Sequence, residues 1–425
     1  MRRRKLVAAA LLMIGVGAAA NAQQVPEAAL AQDAAEYATV HALPLDVAVQ
    51  RLAAQEESVA ATDAIRARFA DRLAGIAIEH EPVWRIVVLL TGTDPVADET
   101  VRAGGLSVPI HYRTGATATR AQLVAAIALY QTQIRAMLSR PPAMGVDPRT
   151  GELVVMVGEG DAGFYAPGEL RARLAALTGV PVRIARLDDV AANLSPEGGA
   201  RLVGVDPADG RRYACTTGFV VTDGPRSGVV TAAHCPDALS YVEPDRSETP
   251  LDFAGQWGWG YQDVQVHVSA QPLGPRFFSD TAKTLTRTVT SVRARDATRA
   301  GDIVCHRGER TGYSCAEVEL VDFAPAGDLC GGGCTPTWVA VRGPTCRSGD
   351  SGGPVFLGTT AFGIVKGGSY RGDGTCTLYY YMALDYLPAG WSLLRATPEG
   401  SRTLADSMAV AIPAELPRPL PPGTP

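Results

Sequence analysis

All eight cysteines of this 425-residue chain fall between Cys215 and Cys376. That distribution divides the sequence before any secondary structure is considered. Disulfides persist in oxidising compartments, and an even cysteine count confined to one half marks a stapled module beside an unstapled one. The texture changes at the same place. From Leu202 onward helical periodicity disappears, and short β-branched and aromatic runs alternate with Gly, Pro, Asp and Ser, as at 218–222, 228–231, 264–268, 284–292, 317–323, 337–341, 361–365 and 378–382. Many short strands separated by regular turns predict an all-β sandwich or barrel. A chain of this length has room for such a module and at least one other.

The cysteine-free stretch is rich in Ala, Arg, Leu and Val. Apolar spacing (Val49, Leu52, Val59, Ile65, Phe69, Leu73) predicts a helix over 45–73, and a second helix is predicted over 121–138, closed by Arg140-Pro141-Pro142. Strands are predicted at 84–90, 153–157 and 180–184, with a helix over 167–177 between the last two. This is an α+β region. His41, His80 and His111 stand apart in it and are read as surface or satisfied side chains.

The ends have their own signatures. Three arginines and a lysine within Met1–Lys5, an apolar run over 6–20 and Ala20-Asn21-Ala22 form the three-part plan of a secretory signal peptide. The apolar run is too short to span a membrane comfortably, and no later stretch is long and apolar enough. Beyond Trp391 the chain turns polar and Pro-rich, a composition that cannot bury a core. The expected organisation is a signal peptide at 1–22, an α+β region at 23–201, an all-β domain at 202–395 and a disordered tail at 396–425. A formal charge of −5 offers no basic field, so nucleic acid is excluded as a partner.

Gly349-Asp350-Ser351-Gly352-Gly353-Pro354 is the strongest chemical signal. A serine hydroxyl is a weak nucleophile that needs a sharp turn to present it and a base to take its proton. Flanking glycines permit that turn, and the amides of Gly349 and Ser351 then form a candidate oxyanion hole. Thr231-Ala232-Ala233-His234-Cys235 closes a strand-like run and supplies the base, His234, 117 residues before Ser351. The third member must be a carboxylate that fixes the imidazole tautomer. Asp263, at the mouth of an alternating strand pattern, is the preferred candidate and Asp252 the alternative. His267, further along that strand, is read as exposed and structural.

These motifs resemble the chymotrypsin-like serine proteases, specifically the bacterial streptogrisin and α-lytic protease branch, over residues 202–395. The segment 305–315 resembles the branch's Cys-x-x-Gly-x-x-Thr-Gly-x-x-Cys hairpin. The resemblance implies two antiparallel six-stranded β-barrels with the triad in the cleft between them. It implies disulfides Cys215–Cys235, Cys305–Cys315 and Cys346–Cys376. It offers Cys330 and Cys334 no established place, and a local bridge between them is expected. Sequence alone leaves on the order of a hundred pairings for eight cysteines. Branch members are made with a pro-segment that templates folding, inhibits and is cut away. The run 145–155 resembles that segment's hairpin, and 202–206 the mature start, which implies processing near Arg201. A slow-folding, high-contact-order β topology gives such a segment a physical motive.

The resemblance also places Thr345, Arg347, Ser348, Lys366, Gly367 and Gly368 along the substrate strand and pocket. Family members usually carry Ser where this chain has Lys366, and trypsin-like members carry an acid where it has Thr345. A preference for small or medium apolar side chains follows. The expected activity is that of a secreted endopeptidase, extracellular or periplasmic, acting on protein or peptide substrates by acyl transfer without metal or organic cofactor. Its own pro-region is its intramolecular partner, and its rate rises with pH through about 6 to 7. A catalytically silent protease-fold binding module is the alternative. An α/β-hydrolase esterase is disfavoured, because that fold orders its triad Ser, acid, His.

Overall fold

The structure, a computed structural model, describes residues 27–158, 161, 168–186, 190–193, 202–205, 210–242, 247–270, 272–326, 329–343, 345–371 and 376–396. The expected signal peptide, the expected processing point near Arg201 and the expected tail beyond residue 396 lie outside the described residues.

The chain has the expected class, an α+β region followed by an all-β half. In the α+β region, helices Glu27–His41, Leu45–Glu57 and Val59–Arg68 precede a four-stranded sheet. The sheet order is Leu73–Glu79, Arg85–Thr91, Leu106–Ala116, Glu99–Ala103. The single helix expected over 45–73 is therefore two helices and the start of a strand. The break falls at Ser58, which is fully buried and whose hydroxyl donates to Gln55 O at 3.1 Å and accepts from Arg299 Nη1 at 3.1 Å. A tertiary partner claims the residue at the break. The strand at Leu73 was hidden because a continuously apolar run reads alike in buried helix and buried strand.

Helix Arg120–Ala136 starts on a reciprocal capping box between Thr119 and Gln122. Strands Ala143–Asp147 and Glu152–Val157 form a hairpin whose turn needs Gly151 at φ +69°. Helix Glu169–Thr178, ended by Gly179 in the left-handed region, returns strand Val182–Arg186 parallel to Glu152–Val157.

In the β half, six strands close on themselves. Their order is Ile303–Gly308, Pro354–Leu357, Thr360–Tyr370, Cys376–Ala383, Trp338–Arg342 and Gly312–Ala324, and the last pairs back with the first. Most of the other strands fall in two further sheets, with Arg276–Phe278 and Thr286–Thr288 paired as a separate ribbon. One runs Asp252–Trp259, Gln262–Val268, Ser227–Thr231, Val220–Thr222, Ser392–Leu393, and the other Arg212–Cys215, Leu202–Val205, Leu239–Val242, Glu248–Pro250.

The two regions share a core. Leu30, Ala34, Tyr37 and Leu52 pack in the same apolar cluster as Phe356, Trp338 and Tyr380. Strand Ala143–Asp147 pairs antiparallel with Gly312–Ala324 and so extends the barrel's sheet. Buried ions also cross. Asp33 accepts from Arg287 through both carboxylate oxygens at 2.9 Å, from Gly358 N at 2.6 Å and from Tyr313 Oη at 2.6 Å. His41 and His80 are not the separate side chains expected. Their rings stack 4.8 Å apart against Tyr37, and burial lowers both imidazoles.

Candidate active site

Strand Ser227–Thr231 pairs with Gln262–Val268 in the register Thr231 opposite Gln265. The three residues after Thr231 and the two before Gln265 therefore meet at one end of the ladder, which brings His234 to Asp263. Cys235, bonded to Cys215, fixes the chain just past His234. The Thr231 hydroxyl donates to Thr216 O at 2.8 Å. Asp263 holds His234 at two points. Its Oδ1 accepts from the His234 amide at 3.2 Å and its Oδ2 from Nδ1 at 2.9 Å. With the proton on Nδ1, Nε2 accepts from Ser351 Oγ at 2.9 Å. Asp252, the alternative acid, is exposed and pairs with Val268 at the opposite end of the ladder.

The serine sits in a hydrogen-bonded turn. Asp350 N donates to Arg347 O at 3.0 Å and Gly353 N to Asp350 O at 2.9 Å. Thr216 ties the turn to the first half, its amide donating to Ser351 O at 2.9 Å and its hydroxyl to Gly349 O at 2.7 Å. Gly352 (φ +84°) has no room for a side chain, since a Cβ there would lie 2.1 Å from Thr231 Oγ1. Asp350 is fully buried. It accepts from Arg310 N at 2.9 Å, Thr311 N at 3.0 Å, Thr311 Oγ1 at 2.8 Å and Arg347 N at 2.8 Å. The hairpin 305–315 is thus the seat of the serine turn.

Burial alone would raise the Asp263 carboxyl, but the charges of Lys366 and then His234 outweigh it and hold the group well below the usual carboxylate range. The Lys366 ammonium lies 3.1 Å from Asp263 Oδ2. Its side chain is buried. Its neighbours Gly367 and Gly368 pair with Asn193 and Ala192, so residues 190–193 lie antiparallel along this strand. Thr345 Oγ1 bonds Ser314 Oγ at 2.9 Å, Arg347 is exposed and Ser348 partly exposed.

Sequence reasoning passed over His306. It is buried between Ser314 and the Tyr379 ring, whose centroid is 4.7 Å away, and burial lowers its imidazole. Its place inside the Cys305–Cys315 hairpin was the available signal. His267 was expected to be exposed and is fully buried. The disulfides are Cys215–Cys235, Cys305–Cys315, Cys330–Cys334 and Cys346–Cys376. Asp33 lies beside Cys305 and Cys315, but both sulfurs are spent in a disulfide, so the trio is no metal centre.

No family model matches the chain. Streptogrisin-C of Streptomyces griseus is 27% identical over 170 residues, which are 39% of this chain and 35% of that protein. The match thus spans about a third of the relative's length. The chain resembles the bacterial chymotrypsin-like serine proteases. Among solved structures, Thermobifida fusca Protease A is 23% identical and covers 47% of this chain and 98% of its own, at a TM-score of 0.37. Cellulomonas bogoriensis chymotrypsin is 22% identical and covers 44% of this chain and 91% of its own, at 0.34. The α-lytic protease homologue N4 is 22% identical and covers 44% and 93%, at 0.34.

Proposed function

We propose that the chain is an exported serine endopeptidase, made as a precursor that processes itself. The observation that carries the reading is the unbroken hydrogen-bonded line from Asp263 through His234 to Ser351. In this reading His234 Nε2 takes the Ser351 proton as Oγ attacks a peptide carbonyl. Asp263 keeps the proton of the resting imidazole on Nδ1 and stabilises the imidazolium that forms. The amides of Gly349 and Ser351 hold the developing oxyanion, and His234 then protonates the leaving amine. Water completes the cycle through the acyl-enzyme, again with His234 as base.

Three further features support the finer parts. Four disulfides suit an exported protein. Residues 190–193 lie along the Thr360–Tyr370 strand where a substrate backbone is expected, which supports residues 23–201 as a pro-region that fills its own groove before a cut near Arg201. The small residues Thr345, Gly367 and Gly368 suit a small or medium apolar P1 side chain.

Intact mass and N-terminal sequencing of the exported protein, beside a Ser351→Ala version, test the reading. The active chain is expected to begin near Leu202 while the alanine version keeps the 23–201 region. Both versions staying uncut, and a parent chain unlabelled by a serine-directed phosphonylating probe, would overturn it.

A further inference from the structure

Lys366 breaks an otherwise ordinary environment for a triad carboxylate. Between strands Thr360–Tyr370 and Cys376–Ala383, Val365 stands opposite Tyr381 and Gly367 opposite Tyr380. Lys366 is the extra residue of a β-bulge. Bulges re-aim a side chain, and this one turns the lysine into the protein, where 3% of it is exposed. The ammonium finds two partners there. One is Asp263 Oδ2 at 3.1 Å, the same oxygen that receives the His234 Nδ1 proton at 2.9 Å. The other is the face of the buried Trp338 ring, whose centroid is 4.9 Å away. A buried ammonium without an anion is strongly unfavourable, so the arrangement presumes an ionised Asp263.

We propose that Lys366 is a positioning residue of the triad that sets its working pH range, extending activity to the acid side at the expense of the maximal rate. The inference rests on the serine-protease reading. A triad carboxylate ordinarily stabilises the imidazolium with a full negative charge. Here a cation shares the accepting oxygen, so Asp263 and Lys366 together are neutral and protonating His234 leaves a net positive charge in the buried cluster. That added positive charge opposes the imidazolium, so His234 gains less on accepting the serine proton. Other titratable groups around the triad do not reverse this. Tyr380, from Cys376–Ala383, has its hydroxyl raised far above the working range and stays neutral. Asp350, from the serine turn, faces the 310–311 amides, and Asp237 is exposed on the loop beyond His234.

The test is the pH dependence of kcat/KM and of labelling by a phosphonyl fluoride, for the full exported protein and for Lys366→Met and Lys366→Arg. The parent's acid limb is expected below the ordinary imidazole value of about 6.5. Lys366→Met should move the limb upward by about one pH unit or more, a tenfold relative loss at a pH below both limbs, and raise the plateau, while Lys366→Arg keeps the parent limb. A limb unmoved in a folded, labelled Lys366→Met protein overturns the inference alone. If neither variant folds, the parent profile decides, and a limb at or above about 6.5 overturns it. Absence of labelling at every pH counts against the serine-protease reading itself.

Discussion

Asp263 meets His234 through two oxygens, one on the backbone amide and one on the ring, so a single carboxylate sets both the position and the tautomer of the imidazole. Asp263→Asn can keep the shape but can present an NH₂ to Nδ1, which favours the tautomer with its proton facing the serine. The expected result is a fall in kcat of about 10⁴ with KM little changed, read from steady-state kinetics on a peptide ester. His267 makes a separate prediction. Both ring nitrogens are buried without a hydrogen-bond partner among the described residues, the ring packs on Phe253, and burial pushes the imidazole down to about 4. The folded value lies below the unfolded one of about 6.5, so its contribution is complete above that pH and is lost as pH falls toward 4. In urea unfolding of the Ser351→Ala chain, His267→Leu should lessen the fall in stability over that window by up to about 3 kcal/mol, leaving the part due to the other lowered histidines, His41, His80 and His306. Equal falls in the two proteins would assign the effect to other groups.

At the scale of elements, the serine turn depends on a neighbouring hairpin, because Asp350 takes four hydrogen bonds from residues 310, 311 and 347. Gly308 allows that approach, since a Cβ there would stand 2.0 Å from Asp350 Oδ1. Gly308→Ala should displace the turn and lower kcat/KM by about a hundredfold, although no triad atom changes. Initial-rate kinetics together with an unfolding scan would separate this from loss of the fold. Such dependencies also explain which parts of the site were readable. His234 and Ser351 lie in short motifs just outside strands, and Asp263 near the start of a patterned strand, so all three could be picked out. Lys366 was visible only as an odd residue, because nothing in spacing encodes a bulge or tells which way it turns. His267 was misjudged because alternation implies one wet face, whereas six of the seven residues of Gln262–Val268 are buried. The Glu27–His41 helix was missed for want of an apolar stripe. Its Ala-rich surface buries mainly Leu30, Asp33, Ala34 and Tyr37, and two of those four positions carry polar groups with tertiary partners.

At the scale of the molecule, the α+β region is bound as a core is, through apolar packing and buried ion pairs. Arg293 Nη2 donates to Glu56 Oε1 at 2.6 Å and Arg299 Nη2 to Gln55 O at 2.7 Å, beside the Asp33–Arg287 pair. Removing one member of a buried pair leaves the other charge stranded. Asp33→Ala in the Ser351→Ala background should therefore lower stability by about 3–5 kcal/mol, measured by denaturant unfolding. A loss under about 1 kcal/mol would mean that water reaches Arg287 and that the pair matters little.

The hairpin Ala143–Val157 carries this dependence into the backbone, since Met144 and Val146 stand in register with Ala324 and Val321 of the barrel. Any departure of the α+β region uncovers that stretch of the Gly312–Ala324 edge and its row of unpaired amides and carbonyls. A bare edge of this kind is an invitation to strand exchange, so a β half released from the α+β region would gain a self-association hazard at the moment of release.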